Sequence, residues 1–166
     1  MTHPLVEQLR FTRREWVRGL QGVSAAEAQK HFEPLNCISW MVGHLAWHEQ
    51  LCWLIRAQGT RLVPDVAGCA NGAPQTTPPL EAMWEGWHRI TVASDAYLDT
   101  LTTETLPTHY QVKGKTVPES IGTMIRRVTY HYWYHLGEAQ AVRQLLGHRD
   151  LPQFVGDIST APYRPE

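Results

Sequence analysis

The chain has 166 residues, 43% of them hydrophobic, with seven tryptophans, a formal net charge of −1 and a pI near 6.7. That length suits a single domain spanning residues 1–166, able to bury roughly 70% of its unfolded surface, and the near-zero charge offers no basic field for nucleic acid or acidic lipid. Cys37, Cys52 and Cys69 are odd in number and form no CxxC pair, which argues against a disulfide framework. Met1-Thr2-His3-Pro4 leads into a mixed helix instead of a basic, then apolar, signal segment. The apolar region from Ile38 to Ile55 is broken by His44, His48, Glu49 and Gln50, so no membrane span is expected. These features predict a soluble, cytoplasmic protein.

Leu5, Leu9, Trp16 and Leu20 keep near-helical spacing behind Pro4, with Gly19 and Gly22 marking the exit. Arg10, Arg13, Arg14 and Arg18 fall mostly off that line and are expected on a solvated face. Ser24-Ala25-Ala26-Glu27 is a capping-box pattern opening a short helical turn that Pro34 closes. Asn36 is the expected N-cap of a second long helix, Ile38 to Gln58, stopped by Gly59. Residues 59–79 turn irregular, as a lid or interface arm would, and Cys69 reads as an exposed loop thiol without a catalytic role. Thr77 caps a third helix that runs to about Leu101, with Trp84, Trp87, Thr91, Ser94 and Leu98 on its core face.

Tyr110 to Val117 alternates around Lys113-Gly114, which predicts a small hairpin. The fourth long helix is expected from Thr116 or Val117, with Pro118 and Glu119 in its first turn, through Leu146 to a stop at Gly147. Residues 147–166 read as an extended tail packed across the body. The fold class is therefore all-α: a four-helix bundle with a small β-hairpin between the third and fourth long helices.

The chemistry concentrates in two histidine pairs. His131 and His135 stand four apart on the last helix, and His44 and His48 repeat the spacing on the second. Imidazoles one turn apart can share an ion at about 2.0–2.1 Å each. One such pair is a weak signal; two in one chain are a stronger one. A catalytic site takes three protein ligands and leaves a position open, and the favoured set is His44, His131 and His135. Glu138 lies on the ligand face, either to orient a histidine or to serve as acid or base. Because only one turn separates it from His135, its expected partner is His44 on the other helix. His48 is the second candidate for proton transfer, with fourth ligand and cavity residue as its other readings.

The motifs Ile38-Ser39-Trp40-Met41-Val42-Gly43-His44-Leu45 and His131-Tyr132-Trp133-Tyr134-His135-Leu136-Gly137-Glu138 resemble the DinB/YfiT-like superfamily. So do the four-helix order and the tail stretches Phe154-Val155-Gly156-Asp157 and Ala161 to Glu166. The resemblance implies a four-helix bundle of unusual connectivity, a homodimer, and a divalent metal on His44, His131 and His135. Zinc or nickel comes first, though manganese and iron also accept imidazole. It implies an enzyme that transfers a low-molecular-weight thiol of the bacillithiol or mycothiol type to an electrophilic small molecule. The alternatives are a metal-dependent hydrolase, with Glu138, His48 or Glu49 as proton acceptor, and a non-catalytic, stress-related binding protein. Trp40, Trp47, Trp133 and Tyr134 flank the histidines and are the candidates to line an apolar pocket.

Overall fold

In the computed structural model, which describes residues 2–153 and 155–165, each long helix starts where a local signal permits. Met1, together with Phe154 and Glu166 of the tail stretches compared above, lies outside the described residues. Helix α1 (Pro4–Gly19) begins behind His3, whose Nδ1 accepts the Leu5 amide N–H, with proline in the first turn. The four-residue α2 (Ala25–Ala28) carries the reciprocal Ser24–Glu27 capping box that its sequence announced.

Helix α3 (Ile38–Glu49) is capped at Cys37, not Asn36, and Cys37 makes no side-chain cap bond. From Gln50 to Arg56 it continues as a π-helix, a widening that periodicity alone does not predict. Gln50 secures the chain beyond this stretch. Its Oε1 accepts from the amides of Leu62 and Val63 at 2.8 and 2.7 Å, and its Nε2 donates to the Val63 carbonyl at 2.9 Å. The loop expected over 59–79 contains a 3₁₀ turn, Pro64–Cys69, packed on α3. Cys69 is consequently only 2% exposed, which corrects its reading as an exposed thiol.

Helix α4 (Leu80–Leu98) is capped by Pro79 instead of Thr77 and ends three residues before the expected Leu101. Strands β1 (His109–Val112) and β2 (Lys115–Ser120) pair antiparallel around Lys113 and Gly114, both at positive φ as a tight hairpin turn requires. The second strand takes up Pro118 and Glu119, so α5 (Ile121–Leu145) starts later than predicted. Ser120 is its N-cap and accepts from the Thr123 amide at 3.3 Å. Beyond α5 the tail crosses α1: Gln8 donates to the Ala161 carbonyl, the Gly156 amide to Glu15, and Arg164 pairs with Glu7.

The architecture is helical with one small antiparallel sheet; α1 packs on α5, and α3 on both α4 and α5. Among the described residues no helix is long and apolar enough to cross a membrane. Of the four arginines expected on a solvated face, Arg14 is exposed, Arg10 and Arg18 are half-buried in ion pairs, and Arg13 is buried. Arg10 pairs with Asp95 of α4 and with Asp99 at its C-cap, and Arg18 with Glu15. Arg13 is buried and holds Glu49 through two bonds of 2.8 and 2.7 Å. Tyr132 donates to Glu49 at 2.9 Å and accepts from the Trp87 indole N–H at 2.6 Å. Burial first, and then the Glu49 charge, pushes the Tyr132 phenol pKa up, so it remains a donor.

Removing one partner of a buried ion pair strands the other charge. Arg13→Met should lower unfolding free energy in urea by about 3–5 kcal/mol. Adding Glu49→Gln should recover part of that loss, because no charge then stays uncompensated. A loss below about 1 kcal/mol for the single change would show the pair to be structurally dispensable.

Candidate metal centre

The two histidine pairs meet across α3 and α5. On α3, Gly43 makes the approach of other elements possible. A β-carbon there would lie 2.6 Å from Cys69 Sγ and 2.5 Å from Met83 Sδ, inside any tolerable contact. Its absence lets the Pro64–Cys69 turn close down on α3 and present a carbonyl to His44. Trp40 and Trp47 both stack on the His44 ring, at 4.7 and 5.4 Å between centroids.

Each imidazole of the predicted ligand set is held from behind at Nδ1. His44 Nδ1 meets the Cys69 carbonyl at 2.7 Å, His135 Nδ1 meets Glu138 Oε2 at 2.7 Å, and His131 Nδ1 meets His48 Nδ1 at 2.8 Å. A carbonyl and a carboxylate oxygen only accept, so His44 and His135 donate at Nδ1 and, as neutral imidazoles, present lone pairs at Nε2. Those Nε2 atoms stand 3.2 and 3.0 Å from His131 Nε2, and one ligand atom from each histidine lies within 4.8 Å of the others. With all three rings neutral, at most one proton, on His131, can sit among the three nitrogens.

Such a convergence of lone pairs fits a cation. Two ligands about 2.05 Å from one ion stand about 2.9 Å apart at a right angle and about 3.3 Å apart at the tetrahedral angle. The two separations from His131 lie between these, and all three ligand atoms lie within 4.8 Å of one another, so the cluster is compatible with a shared divalent ion. Burial first pushes the pKa of His44 and His48 down to about 4 and that of His131 down to about 2. Neutral imidazole is the ligating form.

The cluster opens into a cleft of about 1020 Å³. His44, His48 and His131 face it, with Trp47, Leu51, Tyr130 and Tyr134 among its walls. Of the four aromatic candidates, Trp47 and Tyr134 line the cleft, Trp40 supports His44 from behind, and Trp133 packs beside Phe11 at 6.3 Å. Glu138 does not reach across to His44; it bonds His135 on its own helix. Helical i,i+3 spacing brings the two side chains together directly, so the expectation of a cross-helix partner is corrected. Glu49 is fully buried and committed to Arg13 and Tyr132, which removes it as a proton acceptor for the cleft. Sequence reasoning missed the Cys69 carbonyl as the partner of His44, and also His48 as the residue that holds His131. The signal for the Cys69 carbonyl was Gly43, a helix-interior glycine immediately before a histidine, which marks a close backbone approach.

Replacing His131 and His135 together by alanine should abolish stoichiometric zinc binding in calorimetry while the helical circular dichroism stays. His44→Ala should do the same, and His48→Ala should retain the ion. Glu138→Ala should weaken affinity roughly 10–100-fold and Glu138→Gln much less, since the amide oxygen still accepts from His135. Retained full affinity in the double alanine variant would remove the site.

The lowered histidine pKa values also set a pH dependence. Below pH 6.5 the unfolded chain takes up protons at His44, His48 and His131 that the folded chain refuses until about pH 4 or lower. Stability of the chelator-treated protein should therefore be highest above pH 6.5 and fall as pH drops from 6.5 towards 4. Melting temperatures at pH 7.5, 6.0 and 5.0 check this, and a flat profile would contradict burial of neutral imidazoles.

A family model of the DinB superfamily matches residues 8–139, a span that includes both histidine pairs and Glu138. A crystal structure of a conserved protein from Enterococcus faecalis aligns with a TM-score of 0.62, covering 89% of this chain and 99% of that one. At 15% identity, that likeness concerns the fold alone. Among curated proteins the chain has no match. With most of its length matched and the histidine pairs inside the match, the chain belongs to the DinB superfamily.

Proposed function

We propose that the chain is a metal-dependent S-transferase that joins a low-molecular-weight thiol of the bacillithiol or mycothiol type to an electrophilic small molecule. We read its four long helices as a four-helix bundle of the DinB type, active as a cytoplasmic homodimer. His44, His131 and His135 hold a divalent ion, with zinc or nickel as first choice. That ion would supply a cationic field that favours the thiolate form of a coordinating thiol near neutral pH.

The observation that carries this reading is the engagement of the bases around the cluster. Glu138 is bonded by His135, Glu49 by Arg13, and Glu119 by Arg127. His48 Nδ1 is engaged by His131 Nδ1. If His131 ligates through Nε2, its proton sits on Nδ1 and is donated to His48 Nδ1. Neutral His48 then presents an Nε2–H, a donor suited to an electron-rich atom of the electrophile and unable to take a proton there. A thiol starts from an ordinary pKa near 8.5, far below that of free water, so it depends less than water does on a protein base and can release its proton to solvent through the open cleft. The thiolate forms a carbon–sulfur bond with the electrophile, and the displaced electron pair leaves with the departing group. Glu138 and the Cys69 carbonyl keep their histidines fixed throughout.

Turnover of an electrophilic probe such as monobromobimane should require both added thiol and the metal, and chelation should stop it. His48→Ala should keep the ion and lose rate. Thiol-free cleavage of an ester that disappears on chelation would assign a hydrolase instead. A metal-loaded protein inactive in both assays would point to the non-catalytic reading.

A further inference from the structure

The wall of the cleft carries positive charge that the chemistry above does not use. Arg126, Tyr130 and Tyr134 follow one another at four-residue steps on α5, so they share one side of the helix, and all three are exposed. Arg56 enters the same cleft from the end of the π-helical stretch that continues α3. The wall's acid, Glu119, is already bonded to Arg127. Arg56 directs Nη1 at Met124 Sδ at 3.6 Å, and among the described residues neither it nor Arg126 meets a carboxylate. Two guanidinium groups, each with donors in a planar fork, therefore face a cleft with aromatic walls.

We propose that the cleft binds an organic anion, whose carboxylate or phosphate is held by Arg56 and Arg126 while its body lies against Trp47, Tyr130 and Tyr134. Its reactive end reaches the three histidines. Arg126 precedes His131 by five residues, about 7.5 Å along the helix axis, and both line the same cleft, so a small organic anion can extend from one towards the other. Guanidinium matches both oxyanions by paired hydrogen bonds, and the aromatic faces accept the apolar remainder. The proposal rests on the S-transferase reading only in naming the charge class of one of its two substrates; the arginine subsite itself needs no metal.

The test is calorimetry on the full chain, first after chelator treatment, with succinate, inorganic phosphate and neutral succinamide as probes. Succinate, phosphate or both should bind, and succinamide should not. The affinity should fall roughly tenfold or more in Arg56→Met/Arg126→Ala, since charge-assisted bonds are lost. Arg126→Ala alone, at an exposed position, should show part of the fall with an unchanged fold by circular dichroism. Which anion binds separates a carboxylate from a phosphate ligand. Equal binding of all three probes, no binding of either anion, or anion binding indifferent to both arginines would overturn the proposal.

The zinc-loaded chain is then titrated with mercaptosuccinate and with neutral 1-thioglycerol. An arginine-dependent advantage of mercaptosuccinate places the anion on the thiol. Equal thiol binding, with succinate still binding beside thioglycerol, places it on the electrophile. If neither thiol binds while succinate still follows the arginines, the thiol reading fails and the anion subsite stands.

Discussion

The carboxylate of Glu49 lies wholly inside the protein, and the surrounding helices are arranged to receive it. Arg13 of α1 supplies the countercharge, Tyr132 of α5 a hydroxyl donor, and Trp87 of α4 completes the chain through Tyr132. An ionised group in such a place is tolerated only when charge and hydrogen bonds are both matched. The network therefore fixes more than a contact. Glu49 follows His48 by one residue and Tyr132 follows His131 by one, about 100° around each helix. Locking Glu49 to Tyr132 in the interior sets the rotation of α3 and α5, and that rotation turns the two histidine pairs towards each other.

From that orientation the metal cluster follows with little further freedom. Each histidine of the cluster is held at Nδ1 by a different kind of group: a loop carbonyl, a carboxylate from the same helix and a fourth imidazole. Ligands steered in this way present their other nitrogens without searching rotamers, and the spacing exists before any ion arrives. The cleft above is built by the same elements. The π-helical stretch contributes Leu51 and Arg56, and the strand before α5 contributes Val117 and Pro118.

Much of the site was legible in the sequence because helical periodicity projects a four-residue step onto one face. That sufficed to single out two histidine pairs and to place Glu138 beside one of them, whereas the convergence of His44 with His131 and His135 appears only in the fold. Periodicity did not reveal which histidine Glu138 holds, because i,i+3 contact and cross-helix contact look alike until helix spacing is known. Backbone partners escape sequence reading altogether: the Cys69 carbonyl lies 25 residues from His44 and has no side-chain signature. Arg13 was misread for a related reason. Its charge suggested solvent, and its acidic partner stands 36 residues away on another helix. The late start of α5 reflects a competition between Pro118 as a first-turn residue and the hairpin register, which the strand won through Ser120.

The stacking of Trp40 and Trp47 on His44 gives the centre an optical character. Both indoles lie in van der Waals range of an imidazole in the cluster, and Trp40 also donates to the Pro74 carbonyl, which holds it in place. An ion held by the three histidines would therefore sit one imidazole away from both indoles. Zinc has a closed d shell and no redox chemistry, whereas nickel, manganese and iron have open shells, so the two classes of ion would act differently on the excited state of the stacked rings. Trp40 and Trp47 thus stand where their fluorescence would register which class of ion the three histidines take up.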